Sequence, residues 1–195
     1  TNLPDWGSTH KNLEWKRPDE IIKDPRFMIS EEGKSIDIDA KHGNFALSWF
    51  IGALTIVGTK PALIDKLIVE KSYFDKGFVT FQFFKNGEWK QVVVDTLLPY
   101  EKEQNVRSCL YSCCANPQEF WIQLMEKAYV KLHKNYERIT KGTILDGIVD
   151  LTGGVSELME LSEKEGGEKV ENAQVWNHLS SLYSQKFLLG CMNLC

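Results

Sequence analysis

Five cysteines and four histidines are the residues of this chain best suited to nucleophilic or metal chemistry. A thiolate attacks a carbonyl efficiently when an imidazole or another cationic group holds its proton away. Cys113 and Cys114 are adjacent in a loop-like stretch and could form a reactive pair, but no base or orienting acid accompanies them. His42 lies just ahead of the most apolar run of the chain, "KHGNFALSWFIGALTIVG", and reads as a solvated loop histidine. Ser48, inside that run, reads as a capping or packing residue. Cys191 reads as a small core hydrophobe. His10, His133 and His178 have no metal-like spacing, and surface roles are expected for each. The cysteine number is odd, no CxxC spacing occurs, and Cys113 and Cys114 are poor partners for one another. With Cys109 and Cys195 this usage points to a reducing, cytoplasmic compartment.

Composition sets the frame for those groups. The 195 residues are 43% hydrophobic and 26% charged, with a net charge of -4. Such a chain suits one domain with a sizeable core. Its charge offers no pull toward nucleic acid or an anionic membrane, although local acidic sites could take a cation. The N-terminus carries no apolar signal segment, and the run from Phe45 to Gly58 is shorter than the roughly 20 residues a membrane span requires. A soluble protein is expected. The absence of an initiator Met suggests a fragment or processed chain.

The elements that must position the chemistry follow from pattern. Residues 1–44 read as a polar, irregular arm pinned to the body by Trp6, Trp15 and Phe27. Residues 45–57 read as a buried helix ended by Gly58 and Pro61, and "PALIDKLIVE" as a second one. In "GFVTFQFF" Val79, Phe81 and Phe83 share one face. Asn86-Gly87 suits a type I′ turn, and "EWKQVVVD" is the return strand. "LLPYEKEQNVRSCLYSCCANP" reads as a long loop. From Pro117 to Tyr136 the apolar stripe Phe120, Trp121, Leu124, Met125, Ala128, Tyr129 and Leu132 predicts a helix. A turn at "TGG", a short helix from Val155, a solvated loop at "EKEGGEK", a last helix marked by Val175, Leu179 and Leu182, and a short strand at "KFLLGC" complete the chain. The expected class is α+β, mostly helical, with a small antiparallel hairpin sheet. Trp121, Trp89 and Phe81 are expected in its core rather than on a ligand platform.

Five stretches, in order, together resemble the calpains, the calcium-dependent papain-like cysteine proteases. "FFKNGEWKQVVVDTLLP" resembles the hairpin after the active-site helix. "QEFWIQLMEKAYVKLHKNYERI" is similar to the family's EFW helix. "GTILDGIVDLTGGVSELMEL" resembles its D-x-T-G-G-V segment, "LEWKRPDEI" its W-K-R-P segment, and "LLGC" the end of its first core subdomain. The resemblance runs from about residue 13 to the end. It implies a papain-like protease-core subdomain over residues 45–195, with 1–44 packed on it, and a chain that stops before the second subdomain.

In that family a G-D-C-W motif opens the buried helix, and its cysteine is the nucleophile. In register, Gly43, Asn44, Phe45 and Ala46 take those four places. Phe45 has no atom that can attack, and no base can activate it. Ala40 falls near the glutamine that serves as oxyanion donor, a loss worth about 10²–10³ in rate where such donors have been removed. The family's His and Asn belong to the second subdomain. The resemblance therefore implies a non-catalytic pseudoprotease used for binding or scaffolding. The alternative is one half of an active calcium-dependent cysteine endopeptidase whose nucleophile lies elsewhere.

The resemblance also implies a calcium site. Asp37 and Glu119 match the family's carboxylate ligands, and the ligand carbonyls fall near Ile29 and Glu31. Calcium takes six to eight hard oxygens, which two carboxylates, carbonyls and water can supply. Against this, Glu119 could simply favour the first turn of its helix. Lys34-Ser35 stands where the family places an arginine that helps align its subdomains, so bound calcium need not act as a switch. A calcium-sensing module is a third reading. The expected partner is another protein or the missing second subdomain, in the cytoplasm, with cytoskeletal association as a further expectation. An apolar patch at Phe45, Ala46 and Trp49 is expected to favour self-association.

Overall fold

The computed structural model describes residues 13–29, 40–41, 47–101, 112–139, 141–159 and 172–192. In chain order the elements are β1 (Leu13–Lys16), α1 (Pro18–Ile21), β2 (Ala40–Lys41), α2 (Ser48–Gly58), α3 (Pro61–Leu67), β3 (Ile68–Glu70), β4 (Phe78–Lys85), β5 (Glu88–Asp95), β6 (Leu98–Glu101), β7 (Cys113–Cys114), α4 (Trp121–Leu132), α5 (Ile144–Thr152) and α6 (Asn172–Ser184). This is the expected α+β class, mixed helices with small antiparallel sheets.

Helix α2 is the centre. Phe50, Ala53, Leu54 and Val57 recur at helical spacing and are wholly excluded from solvent. Its first residue is Ser48 rather than residue 45, because Leu47 is the N-cap. Ser48 itself is exposed and does not cap the helix. Pro61 opens α3, where a missing N–H costs nothing. Helix α5 crosses α2 so closely that a Cβ at Gly147 would lie 2.5 Å from the Ala53 methyl. Trp49 turns into this junction. Its Nε1 donates to the Ile139 carbonyl at 3.1 Å, and a Cβ at Gly142 would lie 2.4 Å from the indole. Trp49 therefore does not extend the apolar surface patch expected around it. Phe45 and Ala46 lie outside the described residues.

The hairpin forms as its pattern requires. Asn86 and Gly87 have φ of 55° and 83°, the left-handed pair of a type I′ turn. Val79, Phe81 and Phe83 are fully buried, whereas Val93 on the outer face of β5 is half exposed. The three-stranded sheet runs β3-β4-β5, so Ile68–Glu70 is an edge strand and not the tail of a helix. The β-branched pair Ile68-Val69 favours that choice once Leu67 ends α3. Helix α4 covers the sheet. Tyr129 stacks on Phe50 at 4.2 Å between ring centroids and meets Phe83 edge-on.

Several expectations are corrected. The arm is not irregular throughout, since β1 pairs antiparallel with β6, Lys16 opposite Leu98. Arg17 Nη1 donates to Thr96 Oγ1 at 3.0 Å and to the Gly77 carbonyl, tying the arm to the hairpin base. Phe27 is a buried anchor, while Trp15 stays exposed under the Lys127 ammonium. The stretch read as one long loop contains β6 and β7 near its ends. Helix α5 was not expected, and no helix forms over the described residues 154–159, where a helix from Val155 was expected and Val155 is fully exposed. The chain after α6 is irregular rather than a strand, although Leu188 packs against the core. No helix among the described residues is long and apolar enough to cross a membrane.

Candidate functional site

A row of polar side chains runs along one side of α4: Glu119 just before the helix, then Gln123 and Glu126 in its first two turns. Their spacing of four and three places them on one helical face. Each holds a different segment. Glu119 Oε1 accepts the Ile29 N–H at 2.5 Å, and parallel bridging around Arg26 and Glu119 draws the arm alongside. Gln123 Oε1 accepts the Cys114 thiol at 3.3 Å. Glu126 accepts two backbone N–H groups, that of Leu47 at 3.2 Å and that of Ser112 at 3.0 Å. Glu126 is wholly buried, and burial pushes its carboxyl above the usual carboxylate range against the opposing pull of those N–H groups.

The row thus braces the ground in front of α2. Strand β2 lies against β7, Ala40 opposite Cys114 and Lys41 opposite Cys113. Leu47, the cap of α2, is fixed by Glu126.

A second polar cluster sits at the far end of α4. Asp150 Oδ2 accepts from Lys85 Nζ at 2.7 Å and from the Tyr129 hydroxyl at 2.8 Å, with His133 Nε2 3.8 Å away. Burial, followed by the Asp150 charge, drives the Tyr129 hydroxyl far above its ordinary pKa. His133 Nδ1 lies 2.9 Å from the Tyr129 carbonyl, and burial lowers its pKa. His133 is therefore an internal brace and not the surface residue expected. Joining α4, α5 and β4, this cluster is structural.

The described residues contain no thiol–imidazole pair of the kind that cleaves peptides. Cys114 is buried in β7 and bonded to Gln123, and Cys113 is half-buried in the same strand, so neither lies in the loop expected for a reactive pair. Cys191 is exposed, contrary to its expected core role.

The family model described as calpain family cysteine protease matches residues 4–194. The chain belongs to the calpain family. The calpain-type cysteine protease DEK1 of Zea mays is 31% identical over 180 residues, 91% of this chain and 8% of that protein. Calpain clp-4 of Caenorhabditis elegans is 36% identical over 180 residues, 91% of this chain and 23% of its own length. Calpain-8 of Mus musculus is 33% identical over 180 residues, with 91% and 24% covered. The chain therefore spans less than a quarter of the length of these curated relatives.

With the calpain family established, the expected site residues can be placed. Asp37, His42, Phe45 and Glu31 lie outside the described residues. Ala40 is fixed through its backbone in β2. Ile29 and Glu119, two of the four positions expected around calcium, are brought into direct contact. Glu119 stands just ahead of α4, which starts at Trp121 behind a Phe120 cap, rather than in its first turn. Among the described residues no three His, Cys, Asp or Glu side chains cluster as a metal site. Gln123 and Glu126 were missed from sequence. Their signal was a polar pair continuing from Glu119 at helical spacing, inside a segment otherwise apolar on that side.

Proposed function

We propose that this calpain-family chain is a non-catalytic protease-core subdomain, residues 45–195 with residues 1–44 packed on it, that serves as a binding or scaffolding module. The observation that carries the reading is Phe45 in the register of the family's nucleophilic cysteine. An acyl-enzyme needs a nucleophile, and a phenyl ring supplies none. Ala40, near the oxyanion-donor position, removes a second part of the machinery. The floor on which a nucleophile would stand is nevertheless built, because Glu126 anchors Leu47 and β2 pairs with β7. A scaffold kept in order after losing its attacking group suits recognition of another protein or of a further protease subdomain.

The test is turnover. Incubated with unfolded casein or fluorogenic peptides, with and without calcium, the chain is expected to release no product. Release that stops when the thiols are alkylated would restore the competing reading, an active endopeptidase with its nucleophile elsewhere.

A second reading, calcium binding, is favoured by the contact between Glu119 and Ile29. Glu119 would supply a carboxylate and Ile29 a carbonyl, with Asp37 and Glu31 as the further expected ligands. Calcium there would tie the arm to the start of α4.

A further inference from the structure

We propose that Glu126 is the positioning residue of the ground in front of α2: one carboxylate sets the chain entering that helix and the strand beside it at once. The proposal goes beyond the absence of catalysis and holds whether or not the chain cleaves peptides. Its basis is geometric. Oε1 accepts the N–H of Leu47, two residues past position 45, and Oε2 accepts the N–H of Ser112, immediately before β7. The two donors are far apart in sequence and are brought together at this side chain. No capping side chain satisfies the start of α2, so Glu126 acts on Leu47 from another helix.

The arrangement requires an ionised or evenly shared acceptor. A carboxylate offers lone pairs on both oxygens, whereas a protonated acid or an amide turns one of its two ends into a donor. That end would face an N–H, and one of the two holds would be lost. Among the described residues no counter-charge acts on it. The influences on this carboxyl among the described residues are its burial and the groups of Leu47 and Ser112. One turn earlier, the neutral Gln123 is occupied by Cys114. The adjacent Lys127 turns away, its Nζ bonding Asp95 Oδ1 at 2.7 Å and the Leu97 carbonyl at 2.7 Å. The position of the α2 cap is thereby coupled to the position of β7 and, through the β2–β7 pairing, to Ala40 and Lys41.

Two NMR measurements test this. In the unaltered chain, the amide proton shifts of Leu47 and Ser112 are followed from about pH 4 to about pH 8. They are expected to move together on one titration curve; flat or separate curves would overturn the proposal. In Glu126→Gln, hydrogen exchange at the Leu47 or Ser112 amide is expected to quicken about tenfold or more while amides of the β4–β5 hairpin keep their rates. Unchanged rates at both amides, or the same acceleration throughout the domain, would equally overturn it. Peptide turnover plays no part in either readout, so failure here leaves the pseudoprotease reading standing.

Discussion

Replacing Asp150 by alanine lowers the free energy of unfolding by about 2–4 kcal/mol, read as an earlier urea midpoint at unchanged slope. Asp150 is nearly buried and accepts both the Lys85 ammonium and the Tyr129 hydroxyl. Its removal strands a tyrosine hydroxyl in the core and a lysine whose side chain is 33% exposed. That exposure keeps the expected loss below that of a fully buried pair, since water can reach the ammonium. Asp150→Asn retains an acceptor for Tyr129 and loses only the charge, so a loss of about 1–2 kcal/mol is expected. A change below about 0.5 kcal/mol in Asp150→Ala would show that the cluster does not brace α4, α5 and β4.

Replacing Glu119 by alanine abolishes calcium uptake in a calorimetric titration of this domain. The unaltered chain is expected to give a binding heat. The variant loses one of the two carboxylates expected around the ion and also releases the Ile29 N–H, which Glu119 now holds. Hard oxygen ligands and their charge set calcium affinity, so losing one of two carboxylates leaves too little to hold the ion. No heat in the unaltered chain, or equal heat in both, removes the calcium reading. Because Glu119 lies outside α2 and β7, the outcome does not bear on whether Phe45 replaces a nucleophile.

The parts of the fold legible in the sequence were those whose signals are local. Asn86-Gly87 between two alternating runs could hardly be anything but a hairpin, and the spacing of Phe50, Ala53, Leu54 and Val57 declared a buried helix. Helix α5 was missed because it is short and contains Gly147. Its Thr143–Asp146 capping box, in which each side chain bonds the other's backbone N–H, was present to be read. Strands β6 and β7 were illegible for another reason. Each is stabilised by a partner far away in the chain, β1 and β2 respectively, and short strands carry little pattern of their own.

The candidate site divided along the same line. Phe45, Ala40 and Glu119 could be singled out because a family motif fixes their places by residue type. Glu126 was marked only by its helical spacing from Glu119 and Gln123, because its partners are backbone N–H groups. Every residue but proline has one, so nothing in the sequence marks Leu47 and Ser112 as donors. The sequence places His133 on the surface because it has no metal-like spacing to another ligand residue. Its partial burial comes from Tyr129, one turn earlier on α4, and from Asp150, which α5 brings near.

On the pseudoprotease reading proposed above, no thiol of this domain is a protease nucleophile. That reading is tested most directly by the pH dependence of iodoacetamide alkylation at each cysteine, resolved by mass spectrometry. This reads nucleophilicity itself and needs no substrate. Activated protease thiols ionise with a pKa of roughly 3.5–7.5, ordinary ones near 8.5. All five cysteines are expected either to resist alkylation or to react with midpoints in the ordinary range. One cysteine alkylating rapidly with a midpoint below about 7 would contradict the reading.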